Sequence, residues 1–318
     1  MVKKITEGAT RAAKAIYDQK ERALGVLNGI VGDKLGESMA FEMGFYIAKA
    51  ALEVNRKSLK KNLKKSSKKL VILIHGNSDY EASWFKEGES FGSRLEKEGY
   101  TPFYVRYNSG LHISENGKRF TALLEQLLAE YPRSVENILI ISHSMGGLVT
   151  RSAEYYANQQ NHKWHKKLSH VFFLGTPHEG ALLEKFGSLT ADVLGMVGNF
   201  YTRAATSVIN SRSVGIQDLS HGYLLDEDWQ QNKVRKVFKQ PKSHVPCYDH
   251  VHYYGIAGSL TENPSGLVAR YLGDGMVHPK TASALDLKHF VVLPKTHHRA
   301  LTTSDAVYRQ IYAWLKDS

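Results

Sequence analysis

The sequence predicts an α/β chain built on a mostly parallel central sheet with helices on both faces. Three observations lead there. Short apolar, β-branched runs recur from Leu70 onward, segments of helix formers alternate with them, and the spacing suits crossover helices rather than hairpins. The 318 residues, 42% hydrophobic and 23% charged, are enough to bury a substantial core.

Residues 1–56 read as helical. Ala13, Ile16, Tyr17, Phe45, Ile47 and Ala48 are its apolar positions, around a glycine-containing middle from Gly25 to Gly36. This extension is expected to pack on the core rather than to fold alone. Strands are expected at Leu70–His75, Thr101–Tyr107, Ile138–Ser142, His170–Leu174, His252–Ala257 and Phe290–Leu293. Helices fall near Gly88–Glu98, Ser114–Glu130, Met145–Asn158 and Ala306–Lys316. The organisation that results is a helical extension with a lysine-rich segment over 1–69 and a main domain over 70–318. Residues 181–245 form a helical insertion in that domain. Its first part carries Leu182, Leu183, Phe186, Leu194, Met196, Val197, Phe200 and Tyr201, which suit either an extra helical pair or a cap supplying an apolar pocket.

Composition removes several classes. The single cysteine, Cys247, excludes an internal disulfide, has no metal-ligand spacing, and reads as a packed strand residue. The polar interruptions at Thr6, Glu7, Thr10, Arg11 and Lys14 leave no secretory core, and the most apolar window, Phe41 to Leu52, is too short to span a bilayer. A soluble, cytoplasmic protein is the expectation. The net charge of +11 is concentrated between Arg56 and Lys69, where eight residues are basic and none acidic. On a helix, Lys57, Lys60, Lys61, Lys64, Lys65 and Lys68 would form one stripe, either solvated or in peripheral contact with an anionic membrane. Without interleaved aromatics the run does not suit nucleic acid.

Chemistry enters at Ile138-Leu139-Ile140-Ile141-Ser142-His143-Ser144-Met145-Gly146-Gly147-Leu148-Val149. An apolar run leads into Ser-x-Ser-x-Gly and then into helix formers, which is the layout of a nucleophile elbow. Such a turn exposes Ser144 Oγ at a strand end and aims the N–H of Met145 at a developing oxyanion. A serine needs a base to take its proton and a carboxylate to orient that base. Asp274, between Gly273 and Gly275 in a late turn, is the favoured acid, although a plain Asp-Gly turn would also account for these residues; Asp249 and Asp286 are alternatives. The base belongs in the loop before the last helix, which offers His297 and His298, and adjacent residues cannot share the role. Gly76 allows the N–H of Asn77 to serve as a second oxyanion donor, while His75 at the strand end suits a structural histidine. Asn108 and His112, in the loop from Tyr107 to Gly117, could meet substrate; the plainer reading has Asn108, Ser109 and Gly110 making a turn and Ser114 capping the next helix.

Taken together, these residues resemble α/β-hydrolase-fold serine esterases and lipases, in particular the bacterial group similar to GPI-inositol-deacylase-like proteins. The resemblance rests on Leu73-Ile74-His75-Gly76, the stretch from Tyr107 to Gly117, Ser142 to Val149, and Phe173-Leu174-Gly175-Thr176-Pro177-His178-Glu179-Gly180. It continues through Gly215-Ile216-Gln217-Asp218-Leu219, Leu225-Asp226-Glu227-Asp228-Trp229, Gly273-Asp274 and His297-His298. It implies Ser144 as nucleophile, Asp274 as acid and His298 as base, with Asn77 and Met145 as oxyanion donors. Ser142 stands where the group usually has glycine, and as a small residue it still permits the turn. The implied reaction is hydrolysis of a small-molecule or lipid ester through an acyl-enzyme, chemistry that needs no metal or organic cofactor. Two other readings stay open: a thioesterase or amidase with the same triad, and a non-catalytic hydrolase-fold binding protein at an anionic membrane surface.

Overall fold

Apolar runs that alternate with helices assemble into a single sheet. The computed structural model describes residues 2–47, 50–63, 66–181, 212–234, 242–262, 274, 282, 285 and 287–317. Its strands are β1 (Gly44–Ile47), β2 (Ala50–Leu52), β3 (Lys69–Ile74), β4 (Tyr100–Arg106), β5 (Asn137–His143), β6 (Leu168–Leu174), β7 (His252–Gly258) and β8 (His289–Leu293). They lie in the order β2-β1-β4-β3-β5-β6-β7-β8. The six strands from β3 to β8 pair in parallel, and β1 runs antiparallel to both β2 and β4. The helices are α1 (Val2–Val31), α2 (Arg56–Asn62), α3 (Phe91–Lys97), α4 (Ile113–Glu130), α5 (Met145–Gln159), α6 (Val214–His221), α7 (Asp226–Val234) and α8 (Asp305–Lys316).

Alternation along each strand sends its side chains into two cores. Leu70, Ile72 and Ile74 of β3 join Ile138 and Ile140 of β5 beneath Phe120 and Leu124 of α4 and Leu148 and Val149 of α5. Val71, Leu73, Leu139 and Ile141 face the other way, with Phe172, onto Phe91 and Leu95 of α3 and Val307 and Ile311 of α8. Emptying a site such as Phe172 would cost about 3–5 kcal/mol. Strand order reverses at β3, which has β4 on one side and β5 on the other. The crevice beyond the carboxyl ends of β3 and β5 is therefore where such a sheet binds ligands.

From Leu70 onward the expected strands and helices are present, with ends displaced by no more than three residues. The largest displacement is at α3, which starts late because Ser90 and Ser93 form a capping box there. The expectation for residues 1–56 needs correcting. Helix α1 runs through Gly25 and Gly29 to Val31, and Gly44–Leu52 supplies the edge hairpin β1–β2 where helix was expected; Ala48 lies outside the described residues. A short apolar run cannot be told from a helical segment by pattern alone. Here Phe45 is fully buried against Phe103, ring centroids 5.3 Å apart, and sheet pairing wins. Arg106 ties this extension to the core: it meets Glu21 of α1 at 2.6 Å and Glu81 in a bidentate pair at 2.6 and 2.7 Å, among the rings of Phe41, Tyr46 and Tyr80.

The lysine stripe is also corrected. Helix α2 ends at Asn62, so it carries only Lys57, Lys60 and Lys61, all exposed, with Leu59 buried beneath them. Lys68 lies past the helix and pairs with Glu136 at 2.6 Å, while Lys64 and Lys65 fall outside the described residues. Within the insertion, the apolar residues from Leu182 to Tyr201 likewise fall outside them; the described part forms α6 and α7. Cys247 sits in the irregular segment before β7 rather than in a strand, and packs against the core. No helix among the described residues is long and apolar enough to cross a membrane.

Candidate active site

β5 passes into α5 through Ser144, whose backbone is held at φ 52° and ψ −123°. A non-glycine residue there costs about 1–3 kcal/mol and needs fixing from several sides. The fixing is visible: Ser144 N donates to Leu174 O at 2.9 Å, and Gly147 N donates to Ser144 O at 3.0 Å. Any side chain at Gly146 would come within 2.5 Å of His75 O, so the helix can lie this close only with glycine there. Ser142 turns its hydroxyl sideways to Phe172 O on β6, at 3.1 Å, and so leaves the strand–helix junction clear.

His298 opens the short 3-10 turn after β8 and lies beside the same junction. A Cβ built on Gly175, the residue after Leu174, would lie 2.9 Å from His298 Cε1. His298 Nδ1 is 2.6 Å from Asp274 Oδ2, and His298 N donates to Asp274 O at 3.0 Å. A carboxylate accepts, so Nδ1 carries the proton and Nε2 presents a lone pair. Nε2 is buried and meets no hydrogen-bond partner among the described residues. His297, by contrast, is exposed and caps the turn, its Nδ1 accepting from Ala300 N. The structure thus brings Asp274, His298 and Ser144 to one edge and leaves His297 outside it. Asp249 is exposed in the turn before β7, at the opposite edge, and Asp286 lies outside the described residues.

His143, which the sequence reasoning passed over, packs against His298. Its ring centroid is 4.6 Å from that of His298, and its Nε2 donates to His298 O at 3.1 Å. Burial holds its pKa well below the ordinary histidine value, so it stays neutral. Its position immediately before Ser144 was the signal.

After β3, His75 is buried and stacked on Tyr107, centroids 4.3 Å apart. Burial lowers its pKa to about 3, and the neutral ring donates from Nδ1 to Gly76 O at 2.8 Å while Nε2 accepts from Tyr107 N at 3.3 Å. Across a trans peptide the C=O and N–H point opposite ways, so tying Gly76 O to His75 turns the N–H of Asn77 away from the core. Met145 is the first residue of α5, and its N–H is one of the helix's unclaimed donors, at the positive end of the macrodipole. Asp79 adds a carboxyl next to this loop, pushed up to about 6 by burial and facing Arg299, Arg22 and His298.

Asn108 and His112, which the sequence left open as substrate contacts, hold the fold together. Asn108 Nδ2 donates to Gly32 O at 2.9 Å and its Oδ1 accepts from Gly110 N at 3.0 Å. His112 pairs with Asp218 of α6 at 2.9 Å and stacks on Trp229 of α7, centroids 3.9 Å apart. Asp218 also accepts the N–H of Ile113, so α4 is capped from across the insertion and Ser114 is not its cap; Ser114 Oγ accepts from Trp229 Nε1 instead. Both side chains therefore anchor the insertion and the extension to the core.

The chain matches the family model described as PGAP1-like alpha/beta domain over residues 112–249. No curated protein matches it in sequence. Among solved structures it is similar to the mature form of the lipase BlEst2 from Bacillus licheniformis, at 18% identity and a TM-score of 0.53, over 80% of this chain and 95% of that one. The propeptide form of that lipase aligns at 20% identity and a TM-score of 0.51, over 78% of this chain and 51% of that one. The sheet and its helices have the α/β-hydrolase fold.

Proposed function

We propose that the chain is a serine hydrolase that cleaves carboxylic esters through an acyl-enzyme. The observation that carries this reading is the buried Nε2 of His298, its other nitrogen bound to Asp274, packed beside the strained turn that presents Ser144. Ser144 Oγ attacks the ester carbonyl carbon as its proton passes to His298 Nε2. Asp274 holds the ring and stabilises its charged form, and the N–H groups of Asn77 and Met145 take the charge of the tetrahedral oxyanion. Collapse expels the alcohol, which leaves with the proton from His298. Water, deprotonated by the same nitrogen, then attacks the acyl carbon and frees the acid and Ser144.

Lipid-like acyl esters are the favoured substrates, on the likeness in fold to a bacterial lipase and the match of residues 112–249 to the PGAP1-like family model. Contact between an anionic surface and Lys57, Lys60 and Lys61 would hold the surface at the amino edge of the sheet, because Lys68 leads directly into β3. With about 3.3 Å of rise per residue, β3 separates that edge from the Ser144 edge by roughly 20 Å. The lysines would therefore tether the protein without delivering substrate.

The test is hydrolysis of a chain-length series of p-nitrophenyl esters, with fluorophosphonate labelling. Turnover and labelling that both disappear in Ser144→Ala support the reading, and the preferred chain length sizes the pocket. A folded wild type that neither labels nor turns over overturns it in favour of a binding role. Faster cleavage of a matched thioester or amide would move the substrate class while keeping the machinery.

A further inference from the structure

Helix α1 has no part in the chemistry proposed above, yet its last two turns lie directly under the segment that presents Asn77. A Cβ built on Gly29 would lie 2.7 Å from both Ser78 N and Ser78 Cα, and would run into Ser78 Oγ. One turn earlier, a Cβ on Gly25 would lie 3.2 Å from Asp79 O. Glycine is a poor helix former, and here the missing side chains make room for the backbone of a loop.

That loop is under strain. Ser78, the residue after Asn77, sits at φ 60°. A conformation of this kind persists only where its surroundings over-determine it. Gly29 lies beneath Ser78, Ser78 N donates to Ser109 Oγ at 3.1 Å, and Asn77 Nδ2 donates to Ser78 Oγ at 3.1 Å. The loop of Ser109 rests on the same helix end: Asn108 bonds Gly32 O, and a Cβ on Gly110 would lie 2.6 Å from Gly32 N. The helix itself is held at both ends of this contact. Glu21 pairs with Arg106, and Asn28 joins Met39 O at 2.9 Å to Phe41 N at 2.7 Å.

We propose that α1 is a positioning element for the oxyanion donor: the face formed by Gly25 and Gly29 seats Ser78 and Asp79 and thereby sets the direction of the Asn77 N–H. This rests on the esterase reading. The seating acts on the loop that carries Asn77, whereas Ser144, Asp274, His298 and Met145 hang from other strands. Hydrogen bonds weaken steeply with angle, so a small shift of Ser78 is enough to spoil the donor.

The experiment compares wild type with Gly36→Ala, Gly25→Ala and Gly29→Ala on a p-nitrophenyl ester and on the matching thionoester. Sulfur accepts hydrogen bonds poorly, so the ester-to-thionoester rate ratio reports how much the oxyanion donors contribute. Gly29→Ala is expected to lower kcat for the ester on the order of 10²-fold with little change in KM, and the ratio should collapse with it. Gly25→Ala should move the same way by a few-fold, and Gly36→Ala, which has nothing within 4 Å, should match wild type. If Gly29→Ala does not fold by circular dichroism, the ratio in Gly25→Ala decides. A wild-type ratio in the folded variants overturns the proposal and leaves α1 as structural support. A wild type that neither turns over ester nor labels at Ser144 overturns the esterase reading first, and this proposal with it.

Discussion

Two of the buried clusters among the described residues set a carboxyl group against a histidine ring. At the carboxyl edge of the sheet, Asp274 holds His298 beside Ser144. On α5, Glu154 accepts the hydroxyl of Tyr253 at 2.6 Å, with His165 Nε2 3.9 Å from the same oxygen. The second cluster is strongly perturbed: burial pushes Glu154 up to about 8 and draws His165 down to about 4. By perturbation alone it would rank as a site. It lacks what surrounds Ser144, a hydroxyl presented on strained backbone at a helix start with a second N–H donor nearby. Perturbed ionisation there marks burial, and the strained backbone at Ser144 is what separates the proposed reactive cluster from the structural one.

Substitutions can sharpen that contrast, and the largest effect is expected at Ser144. Ser144→Ala should lower kcat on esters by on the order of 10⁶-fold, with fluorophosphonate labelling lost, because a triad acts as a unit. Residual turnover near wild type would move the chemistry to another residue. Asp274→Asn should cost about 10⁴-fold in kcat, since an amide no longer fixes the His298 tautomer. Steady-state kinetics on one ester reads both.

His143→Phe comes next. It removes the donor to His298 O and leaves that carbonyl buried, a cost of about 1–3 kcal/mol. The expected result is a lower Tm and a fall in kcat of roughly 10-fold, with KM little changed. A lower Tm with unchanged kcat would make His143 a packing residue rather than a support for the base.

How much of this could be read beforehand depended on distance along the chain. The elbow was legible because strand, small residues and helix all fall within Ile138 to Val149. His298 could be preferred to His297 only by resemblance; the physical reason, one ring buried against Gly175 and the other exposed, is tertiary. Asn108 and His112 sit in the expected loop, but the partners that claim them are 76 and 106 residues away. The role of the glycines in α1 was not legible because the loops that require them come from beyond β3 and β4. The β1–β2 hairpin was missed because its apolar residues are too few to show a period.

The smallest effect on activity tests the comparison from the other side. Glu154→Gln should leave kcat within about two-fold, because the cluster touches no reacting atom and the amide oxygen still accepts from Tyr253. Stability should respond instead. Glu154 titrates near 4.5 when unfolded and near 8 when folded, so between those values the folded state holds a proton that the unfolded state has released. Wild-type stability should therefore fall as pH rises through that window and level off above 8. The glutamine variant has no proton to lose and should be free of this slope. Thermal melts would then show the two proteins nearly equal at pH 5 and the variant ahead at pH 8.5, by on the order of 2–4 kcal/mol. Parallel melting curves at both pH values would mean the carboxyl is relieved of its burial when ionised. A large loss of kcat would mean that the two clusters are coupled through α5, and burial alone would no longer account for the second.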